Sequence, residues 1–277
     1  MMWIVARLWR ALVSLSWTFG ARLSRPTSSE MLESFFSMIR PVETAYGLIR
    51  IGGQGDGGYL VPDDLVGIKE CFSPGVSEVA NFELEMAARG CYCYLTDYSV
   101  DGPPVQNDMF DFEKKFLGSL EDEVFIRLEN WIARKGVDGN DAILQMDIEG
   151  AEYSVLCDTS LNTLSRFRII VVEFHFLDCL LERFGYEFIK LTFERLLQRF
   201  EIVHIHPNNN ILPIKYKGFE IPPCVEVTFL RKDRLQGTVT QPSLRFPNPL
   251  DQANVPSKAD FALPTCWYDK KATTHRS

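Results

Sequence analysis

No pair of cysteines spaced C-x-x-C occurs in the 277 residues. The seven cysteines, Cys71, Cys91, Cys93, Cys157, Cys179, Cys224 and Cys266, are odd in number and sit mostly among apolar neighbours. That pattern excludes a disulfide framework or a zinc ribbon and points to a reducing, cytoplasmic compartment. Nor is there a block of Lys and Arg in the central region, and the formal net charge is -8. A binder that tracks nucleic-acid phosphates needs a basic face, so small molecules or neutral polymers such as glycans are the better partners. The G-x-G-x-x-G fingerprint is also missing, which disfavours a dinucleotide held by its pyrophosphate. Internal repeats are absent too.

What is present is a 46% hydrophobic chain, ample for a packed core. Three stretches differ in character: a basic amphipathic arm over 1–27, a domain over 28–235, and a proline-rich tail over 236–277. In the arm, an advance of ~100° per residue gathers Arg7, Arg10, Ser14, Thr18, Arg22 and Arg25 on one helical face. Leu8, Leu12, Leu15 and Phe19 fall on another. Arginines interrupt the apolar stretch too often for a transmembrane span, and its apolar core is poor for a signal peptide. Three readings stay open for residues 1–25: peripheral docking on a membrane surface, a helix packed on the domain, or a free arm.

The domain opens with a helix over 28–39, with Ser28 or Ser29 as N-cap and Pro41 as stop. "GGQGDGGYLVP" follows, and its five glycines fit either a hairpin around Asp56-Gly57 or a lid that approaches a ligand closely. Short apolar strands then alternate with helices: "IKECFS", "CYCYLTD", "VFIRL", "AILQMDI", "FRIIVVEFH", "FEIVHIH" and "CVEVTFLR". This alternation predicts an α/β fold with a mainly parallel sheet and helices on both faces. The last two strands are joined by a loop, so their pairing is expected to be antiparallel.

In such a sheet, ligands bind beyond the carboxyl ends of the strands. The first strand runs into Ser73, Pro74, Gly75 and Val76, where glycine allows a ligand close to the backbone. The second ends at Asp97, about twenty residues beyond Gly75, the spacing at which a carboxylate accepts both hydroxyls of a ribose. Together they suggest a nucleoside-bearing ligand without a pyrophosphate, the shape of S-adenosylmethionine (SAM).

The fourth strand ends in "MDIEGAEYSVL". Beside "DGGYLVP", "CFSPGVSEVANFE" and "VVEFH", this segment resembles the FkbM-type family of SAM-dependent methyltransferases, whose hallmark is Asp-x-Glu-Gly-x-Glu after this strand. The resemblance extends over about residues 50–232. It implies a class I methyltransferase (Rossmann-like) fold, a seven-stranded mostly parallel sheet with one antiparallel strand near an edge. It also implies an enzyme that methylates hydroxyls, frequently those of sugars, with SAM as cofactor. Ser73, Gly75, Val76, Asp97, Asp147 and Glu149 are the cofactor-binding candidates.

Carboxylates at these strand ends can stabilise the sulfonium of SAM, with Asp147 the first participant. Glu149 and Glu152 equally suit the start of the next helix, where acids complement its positive end. After the fifth strand, Glu173 and His175 share one side of the chain. His175 is the candidate base for the acceptor hydroxyl, oriented by Glu173, with Asp147 as the third catalytic candidate. The same three residues also suit a divalent metal ion that binds and acidifies the hydroxyl. In "HIHPNNN", His204 and His206 precede a turn whose asparagines cap their own backbone or bind a polyol. Two rival functions stand beside the enzyme: a non-catalytic binding protein of the same fold at a membrane surface, and a metal-dependent hydrolase.

Overall fold

Ser28 accepts the Met31 N–H at 3.3 Å, satisfying one of the free donors at the start of helix α1 (Ser29–Met38). The chain then forms an antiparallel hairpin of β1 (Leu48–Ile51) and β2 (Tyr59–Pro62), followed by β3 (Glu70–Pro74), α2 (Asn81–Ala88), β4 (Tyr92–Thr96) and β5 (Phe110–Glu113). Next come β6 (Phe116–Gly118), β7 (Phe125–Arg127), α3 (Leu128–Arg134), β8 (Ala142–Met146), α4 (Glu152–Asp158), α5 (Leu161–Leu164) and β9 (Phe167–Phe174). The succession ends with α6 (Arg183–Leu196), β10 (Phe200–Pro207), the hairpin β11 (Ile214–Tyr216) and β12 (Phe219–Ile221), and β13 (Val225–Arg231). The computed structural model describes residues 24–137, 139, 141–235 and 246–269, with 12, 13, 15, 16 and 18. Most of the amphipathic arm therefore lies outside the described residues. Among them, no helix is long and apolar enough to cross a membrane.

The main sheet has seven strands in the order β10-β13-β9-β8-β3-β4-β5. Only β13 runs antiparallel, between β9 and β10; every other pairing is parallel. The expected antiparallel pairing of the last two strands is found. One assignment changes: "VFIRL" does not enter this sheet, and β7 instead makes a small parallel pair with β6. Phe110–Glu113 takes the edge position beside β4. Its "FDFE" is half-buried throughout, as suits an edge strand, and lacks the continuous apolar run of the central strands.

Alternation divides each central strand between two apolar layers. Leu144 and Met146 of β8, with Ile170, Val172 and Phe174 of β9, face α1, α4 and α6, where Phe35, Phe36, Tyr153 and Phe193 are buried. Ile143, Ile169 and Val171 face the opposite way, towards α2 and the β1–β2 hairpin. The hairpin is bound to the sheet through the Thr228 hydroxyl, which donates to the Leu60 carbonyl at 2.6 Å. Burial of these two layers supplies the main stabilisation, about 1.5–3 kcal/mol per large apolar side chain.

The proline-rich segment past 245 is irregular and lies against the domain. Trp267 is fully buried against Phe36, and its indole N–H donates to the Glu220 carbonyl at 3.0 Å. Asp251 meets His204 Nε2 at 2.8 Å, with both side chains buried.

Candidate active site

A cleft of about 720 Å³ opens above the carboxyl ends of β3, β4 and β8. Gly75 lets these strand ends approach: its φ is +88°, and a Cβ there would meet the Asp147 carbonyl oxygen at 1.7 Å. Asp97 lines the cleft. Its Oδ2 accepts the Ser77 N–H at 3.0 Å, while Oδ1 accepts the N–H and hydroxyl of Ser99 at 2.8 and 2.6 Å. Each carboxylate oxygen has two lone pairs, so Oδ2 keeps one free for a ligand. Apolar side chains of Val76, Val79, Phe116, Leu117 and Phe125 line the same space. Phe116 was not singled out from the sequence, because its strand is three residues long, and Phe125 belongs to "VFIRL", read there as a strand of the main sheet.

The glycine loop forms another wall. It is a hairpin connection, as one of the two readings had it, and Asp56 and Gly57 also line the cleft. The Arg50 guanidinium fixes it by donating to the carbonyls of Gly53 and Gly55 at 2.5 and 2.7 Å.

Ser73 is not brought to the cleft surface. It is fully buried beneath it, between the Glu83 carboxyl and the Gln145 amide oxygen at 2.5 Å. Gln145 Nε2 in turn donates to the Tyr59 hydroxyl at 3.2 Å. Burial raises Glu83 to about 7 despite the opposing bond from Ser73. A Ser hydroxyl has one proton, so a neutral Glu83 can donate to Ser73 while Ser73 donates to Gln145. The four side chains form one buried hydrogen-bonded chain, of which Tyr59, Glu83 and Gln145 reach the cleft wall.

Asp147, Glu149, Glu173 and His175 are brought together. His175 Nε2 lies 3.5 Å from Glu149, 3.9 Å from Asp147 and 3.9 Å from Glu173. Its other nitrogen, Nδ1, is held by Glu152 at 3.0 Å, so the orienting partner is Glu152 and not Glu173. Glu152 does begin α4, but it is fully buried, and its Oε1 also accepts the N–H groups of Ile148 and Gly150. The sequence signal was the second Glu of Asp-x-Glu-Gly-x-Glu, whose position at a helix start concealed this role. Glu173 is held from behind: Asn208 Nδ2 donates to its Oε1 at 2.7 Å and the Cys224 thiol at 2.9 Å. Asn208 also accepts the Asn210 N–H, so the Asn-rich turn caps itself while supporting the site.

The turn after β8 is tightly shaped. Glu149 and Phe176 both have φ near +56°, and Gly150 has φ +103°. A Cβ on Gly150 would meet the Phe176 ring at 2.4 Å, so glycine is required where these two loops touch.

Burial and mutual repulsion dominate the electrostatics. Burial, then Glu173, raises Asp147 to about 8. Burial, then Glu226, raises Glu173 to about 7. Burial pushes the His175 imidazole down, but the hydrogen bond and charge of Glu152, with Glu173 and Asp147, outweigh it and lift the group to about 9. Burial and Glu173 also push the Cys224 thiol far up, so it stays protonated. His204 and His206 lie farther along the sheet, paired with Asp251 and set beside Glu226 respectively, and do not join this cluster.

Residues 125–211 match the family model of the methyltransferase FkbM domain. The FkbM-type resemblance is therefore found over a narrower stretch than 50–232. The FkbM match runs from β7 to the Asn-rich turn and holds Asp147, Glu149, Glu152, Glu173, His175 and Asn208. It supports a methyltransferase. No curated protein matches the chain.

Proposed function

We propose that the chain is a SAM-dependent methyltransferase that transfers a methyl group to a hydroxyl of a sugar or glycan. One observation carries this reading: a single cleft is lined both by Gly75, Val76 and Asp97 and by Asp147 and Glu149. Asp147 and Glu149 lie within the FkbM-domain match. The order of the seven strands, with the antiparallel strand one place from the edge, supports a class I, Rossmann-like fold.

The residues present fit SAM. The cleft has the size of a small-molecule site. Asp97 offers an acceptor for ribose hydroxyls, and the apolar group around Phe116 and Phe125 suits a flat base. Asp147 keeps a buried Oδ1 without a partner, which suits a cationic centre. When bound, SAM supplies an electrophilic methyl group on a sulfonium. Asp147 would offset positive charge beside the cofactor, and Glu149 lines the same cleft, with the Glu152-oriented His175 set next to both. As the acceptor oxygen bonds the methyl, its proton passes into this carboxylate-imidazole group. Sugar hydroxyls are chosen as acceptors because the family resemblance implies them.

Incubating the full chain with methyl-labelled SAM and a panel of mono- and oligosaccharides tests the reading. An O-methylated sugar formed with stoichiometric S-adenosylhomocysteine is expected. SAM binding without transfer to any hydroxyl would leave the non-catalytic binding protein.

A further inference from the structure

Three carboxylates surround His175 Nε2 at distances that need explanation. Glu149 at 3.5 Å and Asp147 and Glu173 at 3.9 Å are too far for good hydrogen bonds. Ligands of one divalent ion, each about 2.1–2.3 Å from it, lie roughly 3–4 Å from one another. Ligand atoms of Asp147, Glu149 and His175 all fall within 4.8 Å of each other, whereas Glu173 groups instead with His175 and Cys224.

A second, independent feature is an oxygen without a partner: the buried Oδ1 of Asp147, facing His175 Nε2, has no hydrogen bond. Buried carboxylate oxygens are rarely left so. Among the described residues, every ion pair of Asp147, Glu149, Glu152 and Glu173 is with His175. Meanwhile Glu152 fixes Nδ1 as the protonated nitrogen and turns Nε2 towards the other three, the arrangement found around metal-bound histidines.

We propose that Asp147, Glu149 and His175 Nε2 bind one divalent cation where Asp147 and Glu149 line the cleft. The donors are carboxylate oxygens and one imidazole, while the Cys224 thiol donates its proton to Glu173. This is a hard set, suited to Mn²⁺ or Mg²⁺ and not to a thiolate-seeking ion. The role of the ion, though not its binding, rests on the methyltransferase reading: it holds the acceptor hydroxyl and offsets charge as the oxygen loses its proton.

The test uses the full chain, stripped with chelator and titrated with Mn²⁺ alone, following free Mn²⁺ by electron paramagnetic resonance. One ion per chain is expected, with ¹⁴N coupling from a single imidazole in the bound spectrum. Asp147→Asn and Glu149→Gln should each weaken binding at least tenfold, while Glu187→Gln on the exposed face of α6 should not. Absence of stoichiometric binding, or of nitrogen coupling in the wild-type spectrum, overturns the proposal even where a variant fails to fold. SAM affinity, measured separately by calorimetry, distinguishes the two readings. A chain that binds SAM but no Mn²⁺ loses only the cation site, and one that binds Mn²⁺ but no SAM keeps that site and loses the methyltransferase.

Discussion

Glu152 Oε1 lies 3.0 Å from His175 Nδ1 and at the same time accepts the Gly150 N–H at 3.0 Å and the Ile148 N–H at 3.2 Å. One buried oxygen therefore fixes both the imidazole and the turn that carries Glu149. Glu152→Gln keeps an acceptor oxygen but removes the charge. It should lower both Mn²⁺ affinity and kcat by about 10–100-fold, the usual cost of changing the group behind a metal-binding histidine. SAM affinity should stay within twofold. Unchanged Mn²⁺ binding and turnover would make the contact purely architectural.

Gly150→Ala tests the packing of the turn. The added Cβ meets the Phe176 ring at 2.4 Å, and φ +103° is strained for any L side chain. A loss of about 1–3 kcal/mol is expected from denaturant unfolding. Wild-type stability would mean that Phe176, which is 59% exposed, simply swings into solvent.

Glu83 gives the fold a pH dependence. Its carboxyl is raised from 4.5 to about 7 by burial, so the folded state binds its proton more tightly than the unfolded chain does. This contribution is full below pH 4.5 and is lost as pH rises towards 7. Glu83→Gln can still donate to Ser73, so it should flatten the profile between pH 5 and 7. At pH 8 it should stabilise the chain by up to about 3 kcal/mol. Thermal melts across that range measure both effects. Parallel curves for the two proteins would remove Glu83 as the source.

The sequence exposed the strand ends more readily than the contacts among them. Asp97, Asp147, Glu173 and His175 were legible because each follows an apolar run, and in a parallel sheet that position faces the ligand. Ser73 met the same criterion but is turned inward by Glu83 and Gln145, a choice of face that strand periodicity alone does not fix. Glu152 looked like an ordinary acid at a helix start, and only the parallel pairing of β9 beside β8 brings His175 to it. Asn254 was hidden for a different reason. It comes from the irregular segment past residue 245, where no periodic pattern exists, yet it donates to the buried Glu226 at 2.6 Å.

Calorimetric titration of the full chain with SAM tests the central claim most directly, with Asp97→Asn as the comparison. Asn is the better substitution because Asp97 also holds the N–H groups of Ser77 and Ser99, which alanine would release. One equivalent of SAM should bind the wild-type chain, and Asp97→Asn should weaken that binding more than tenfold, since it replaces a charged acceptor of the ribose hydroxyls with a neutral amide. A folded wild-type chain that takes up no SAM would contradict the account.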